Sequence, residues 1–182
     1  MNNRKSFYIT RTAVFLALAL AIQFTLLKLF AGNPVTTYIV GSLLNMIFFT
    51  AAVTIGLWSG VMIGVMTPIV AFLTGHLPFA VLIPFVIAAN LVLVVIYYGG
   101  KVLFKDKLIP LTISGVIAGT VKFLFMFLAA KFILPLISSI PAPAVTKLAA
   151  GWSIPQFVTA MIGLALSVML RQSLKKTNVL EK

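Results

Sequence analysis

The 182-residue chain has no cysteine, a single histidine (His76) and only two carboxylates, Asp106 and Glu181. Each scarcity removes a class of chemistry. Without cysteine there is no disulfide framework, no thiolate metal site and no catalytic thiol, and the redox compartment stays open. One histidine cannot build a multi-histidine metal centre. The two carboxylates sit in a polar loop and in the tail. They supply no acid–base pair, no metal cage and no proton relay inside a membrane. No Gly-x-x-x-x-Gly-Lys-Ser/Thr loop occurs either, so ATP hydrolysis is not expected of this chain. The chain reads as a non-enzyme that needs neither metal nor cofactor.

Apolar residues dominate what is present: 62% of the chain is hydrophobic, 9% is charged and the mean hydropathy is +1.17. No soluble domain of this length can bury so much apolar surface, so lipid is the expected solvent. The net charge of +12 reads as membrane topology and not as nucleic-acid binding, because the basic residues stand at segment ends. A cleaved signal is not expected at the amino terminus. Its apolar run is too long for an h-region, and further spans follow.

The stretch Arg11–Ala31 predicts a first transmembrane helix, since about 20 apolar residues match a ~30 Å hydrocarbon core. Within it Ala13, Ala17 and Ala21 recur every fourth residue and share one face. A face with so little side-chain volume lets another helix approach closely, although it could also pack inside the same chain. Gly32-Asn33-Pro34 then forms a turn. Further spans are expected near Tyr38–Trp58, Val61–Leu73, Ala80–Tyr98, Leu111–Leu134 and Ile154–Leu170. The third contains Thr67-Pro68, which predicts a kink or a partly re-entrant helix. Gly99 to Lys107 is expected as a polar loop, Pro135–Ala149 as a Pro-rich connection, and Arg171–Lys182 as a basic, fraying tail.

Residues 1–182 therefore read as one all-α integral membrane domain of six transmembrane helices, with both termini on one side. The amino terminus, the fourth-to-fifth loop and the tail hold ten of the fourteen Lys and Arg residues, which makes that side cytoplasmic. No sequence repeat relates the two halves, so an inverted-repeat transporter is not indicated.

Lys122, inside the fifth span, is the sharpest polar signal. A cation in the bilayer core costs about 2.5–3.5 kcal/mol on insertion scales and usually faces a cavity or a partner. Two readings stand: contact with an anionic or strongly polar ligand, or snorkelling and placement at a subunit interface. Gln23, Asn45 and Asn90 are intramembrane amides, and interhelical hydrogen bonding explains Gln23 and Asn45 without a ligand. Asn90, in a helix opened by Pro84, is the best amide candidate for lining a pocket. Gln156 lies at the outer start of the sixth span, where Trp152 reads as an interfacial anchor. Asn33 and His76, in outer loops, are candidate lid contacts.

On these features the chain resembles the substrate-binding S components of energy-coupling factor (ECF) transporters, which take up vitamins in bacteria. The resemblance spans essentially the whole chain: its length, six spans, cytoplasmic termini and the Ala13, Ala17, Ala21 repeat. The stretches GSLLNMIFFTAAVTIGLWSGVMIGVMTPIVAFLTG and IPFVIAANLVLVV are similar to one subgroup of the family. It implies a subunit of the bacterial plasma membrane that binds a vitamin near the outer face. Docking through the alanine face onto a membrane coupling subunit, driven by two cytoplasmic ATPases, is implied as well. The family's pocket residues vary with substrate and do not carry over, so Asn90, Lys122, Gln156, Asn33 and His76 stand on their positions alone. Lys122 favours a cargo with a carboxylate or phosphate, such as pantothenate or cobalamin, and the subgroup inclines the reading toward cobalamin. A stand-alone carrier or channel and a structural subunit of a membrane complex are the rival readings.

Overall fold

The computed structural model describes residues 3–29, 34–105 and 107–176, and among these there are helices and no strands. Helix α1 spans Asn3–Leu29, α2 Pro34–Thr54 and α3 Leu57–Leu73. A 3₁₀ turn at Ala80–Leu82 leads into α4, Ile83–Leu103. Helix α5 (Leu108–Leu128) runs on through a π-helical turn at Ala129–Ile133 and a 3₁₀ turn at Leu134–Leu136. The short α6 (Ala142–Gly151) and the long α7 (Ile154–Lys176) follow. Five stretches are long and apolar enough to cross a membrane, whereas α3, Leu57–Leu73, is shorter.

Several boundaries differ from expectation. The connection between α2 and α3 is earlier and tighter than Ser59-Gly60. Ile55 and Gly56 both donate to the Ala51 carbonyl at 3.0 Å, and Gly56 takes φ +146°, a conformation that L side chains rarely adopt. Gly99 and Gly100 are not loop residues. The helix continues through them to Leu103, and Gly100 packs against Ser114 of α5 where any Cβ would collide. The Pro-rich connection carries α6, with Pro143 in its first turn, where a missing N–H costs nothing. Instead of fraying at Arg171, the last helix persists to Lys176.

Each long helix packs against its predecessor, α7 against α5 after the intervening α6, so α1, α3 and α5 end on the side where α2, α4 and α7 begin. Of α2's apolar stretch 56% is buried, against 17% of α1's, which makes α2 the axis of the bundle and α1 a peripheral helix. The main core gathers Ile47, Phe49, Ile63, Leu93 and Tyr97, with the Phe49 and Tyr97 rings edge-on at 4.7 Å. A second cluster closes the end near α6 and includes Leu82, Met126, Leu134 and Trp152. Trp152 is only 6% exposed and lies 6.3 Å from the Phe85 ring, so it is core packing and not an interfacial anchor. Large apolar side chains such as Phe7, Leu18, Ile113, Ile117 and Met169 face outward, as lipid-facing residues do.

Candidate ligand-binding cavity

Pro68 organises the site. Helix α3 continues through it, and the missing N–H leaves the carbonyl of Gly64, one turn earlier, without its helical donor. Asn90 of α4 supplies that donor: its Nδ2 gives a hydrogen bond of 3.2 Å to the Gly64 carbonyl. With the NH₂ end committed, the Oδ1 end turns to Lys122, whose Nζ donates to it at 3.1 Å. The same ammonium donates to Asn45 Oδ1 of α2 at 2.8 Å. Asn45 in turn donates through Nδ2 to Thr159 Oγ1 of α7 at 3.3 Å, and that hydroxyl donates to the Gln156 carbonyl at 3.2 Å.

One chain of hydrogen bonds thus links α7, α2, α5, α4 and α3, with both amide oxygens facing the cation. Lys122, Asn45 and Asn90 are each no more than 4% exposed, and the Phe48 ring lies 5.7 Å from Nζ. An ammonium has three donors, and two of them are used here. Two amide oxygens solvate the charge without neutralising it.

These groups line a cavity of about 130 Å³, shared by Gln23, Asn45, Asn90, Lys122 and Gln156 and by an apolar wall that includes Leu44 and Val86. That is room for several waters or one small organic molecule. Gln23 of α1 is 5% exposed; its Nε2 donates to the Thr67 carbonyl at 3.3 Å, while its Oε1 has no hydrogen-bond partner. At 1.5 Å per residue, Gln23, Asn90 and Lys122 lie roughly 9–11 Å from their helix ends, all in the half of the bundle where α6 sits. The basic groups Lys5, Arg11, Lys101, Lys105, Lys107 and Arg171 belong to the opposite end.

Of the expected pocket residues, Asn90, Lys122 and Gln156 come together in this cavity. His76 does not line it; its Nδ1 pairs with Thr74 Oγ1 at 2.8 Å in the turn after α3. Asn33 lies outside the described residues. Asn45 and Gln23, read from sequence as helix glue, prove to be cavity residues. The available signal was depth, since Gln23 sits in the same half of the bundle as Lys122 once alternate spans are reversed and Asn45 lies at the middle of α2. Ala13, Ala17 and Ala21 are all exposed, while the buried face of α1 carries Thr12, Ala19 and Gln23. Packing within this chain therefore does not use the alanine ladder.

The all-helical architecture, the long apolar helices and the apolar exterior define a helical membrane protein. No family model, no curated protein and no solved structure matches the chain.

Proposed function

We propose that this protein is the substrate-binding S component of an ECF-type importer in a bacterial plasma membrane. It crosses the membrane six times, through α1–α5 and α7, with both termini in the cytoplasm. Helix α3 has 17 residues and reaches about 25 Å, a little short of a ~30 Å core, a mismatch that local thinning absorbs. The basic end of the bundle faces inward under the positive-inside rule, and this turns the Lys122 cavity outward. A vitamin-like cargo binds there, and a coupling subunit with two cytoplasmic ATPases supplies the energy that this chain has no motif to harvest.

The observation that carries this reading is the buried ammonium in a cavity with no counter-charge among the described residues that line it. A purely structural subunit could join these helices with neutral amides and has no need of so costly a group. The unused alanine face of α1 supports a docking partner. Among anionic cargoes, a cavity of about 130 Å³ favours a small acid; one the size of pantothenate would need the cavity to widen, and cobalamin would require the helices to part.

Co-expression with an ECF coupling module tests the proposal. Ala17→Trp is expected to abolish ATP-driven vitamin uptake and co-purification of the coupling subunit, while ligand binding to the isolated protein persists. Uptake that proceeds without the ATPases, or that ignores Ala17→Trp, would point to a stand-alone carrier and overturn it.

A further inference from the structure

We infer that the Lys122 cavity selects a small organic acid that binds as a monoanion and carries an O–H or N–H donor. Its carboxylate meets the Lys122 ammonium and its donor meets Gln23 Oε1. The inference rests on the S-component reading, because it names the cargo class of that same cavity.

Three features of the site lead to it. First, Lys122 is the only ionisable residue among the described residues that line the cavity, so the counter-charge is assigned to the ligand. The sequence has only two carboxylates, Asp106 and Glu181, and both lie outside the described residues. Second, the one positive charge facing the cavity is the Lys122 ammonium, which has one N–H left for an incoming group. Asn45 and Asn90 hold their amide oxygens toward that ammonium while their NH₂ groups reach Thr159 and the Gly64 carbonyl, so they add no charge. One positive charge matches one carboxylate. A phosphate monoester, with close to two negative charges, would leave one of them buried and unpaired. Third, Gln23 Oε1 is buried without a partner, and its amide cannot flip without giving up the Thr67 carbonyl. An orphaned acceptor of this kind asks for a donor from whatever fills the cavity. Between the two polar points the wall is apolar (Leu44, Phe48, Val86), which suits an aliphatic body.

The full chain, purified in mild detergent, would be titrated calorimetrically with two matched pairs of probes. These are pantothenate against its neutral alcohol panthenol, and biotin against biotinamide. At least one acid is expected to bind, with its neutral partner weaker by roughly 10- to 100-fold, the worth of a charge-assisted hydrogen bond. Gln23→Leu should weaken the acid by about tenfold and leave the acid-to-neutral ratio unchanged. Lys122→Met should collapse that ratio. The wild-type comparison stands even if a variant fails to fold. Equal affinity within a pair, or no binding by either acid, would overturn the inference. Uptake through a co-expressed coupling module, measured with the same probes, separates the two claims. Import of a neutral vitamin would keep the S-component reading and overturn this one, whereas an acid that binds but is never imported would do the reverse.

Discussion

Replacing Asn90 should cost more than replacing Asn45, and the reason lies in Pro68. Both amides accept a hydrogen bond from the Lys122 ammonium, at 3.1 and 2.8 Å, and both are at most 4% exposed. Truncating either to alanine removes one charge-assisted bond, worth about 1.5–3 kcal/mol. The other ends of the two amides differ. Asn45 donates to the Thr159 hydroxyl, which keeps its own bond to the Gln156 carbonyl, so its loss orphans nothing further. Asn90 donates to the Gly64 carbonyl that Pro68 has deprived of a helical partner. Its loss leaves a buried backbone acceptor unpaired, a further penalty of about 1–3 kcal/mol. The expected penalties are therefore about 1.5–3 kcal/mol for Asn45→Ala and about 2.5–6 kcal/mol for Asn90→Ala. Pro68→Ala supplies the control, because it restores an N–H one turn after Gly64. In that background the Asn90→Ala penalty should shrink by about 1–3 kcal/mol, a coupling that a double-mutant cycle reads directly. Unfolding in mixed micelles of mild detergent and dodecyl sulfate would measure all four proteins. Additivity within about 0.5 kcal/mol, or Asn45→Ala as the costlier single change, would refute the account.

Three further outcomes are expected. Gly163→Val should destabilise the protein by at least about 1–3 kcal/mol through overpacking. Even a bare Cβ there would lie 2.6 Å from Asn45 Cβ and 2.7 Å from the Ser42 carbonyl oxygen, and thermal unfolding followed by tryptophan fluorescence would show the loss. Trp152→Ala should cost about 3–5 kcal/mol by opening the cluster that closes the α6 end; a loss below about 1 kcal/mol would return Trp152 to the role of a lipid-interface anchor. Ala17→Leu should change stability by no more than about 0.5 kcal/mol because the residue is exposed. Ala19→Leu, two positions on and fully buried, should cost about 1–3 kcal/mol in the same unfolding assay.

The sequence alone pointed to an all-helical membrane protein, to the order of its apolar segments, and to the alanine ladder on the first of them; of the six spans expected, five are long enough to cross a membrane and the third is shorter. These follow from composition and period, which are local properties: about 20 apolar residues must cross a bilayer wherever they occur, and every fourth residue must share a helical face. It also singled out Lys122, since a lone cation in an apolar run is anomalous in any fold. Local reading failed where a neighbouring helix decided the outcome. Gly99 and Gly100 looked like a loop and are helix, and at Gly100 the glycine is there because α5 packs too close for a side chain. Trp152 looked like an anchor and is core. Asn45 and Gln23 looked like separate points of helix glue, yet both line the Lys122 cavity. Only the tertiary structure set Asn45 and Asn90 on either side of one ammonium and left Gln23 Oε1 without a partner. Hydrogen-bond partners 32 and 77 residues apart are chosen by how helices cross, and nothing in the period of a single helix encodes that crossing.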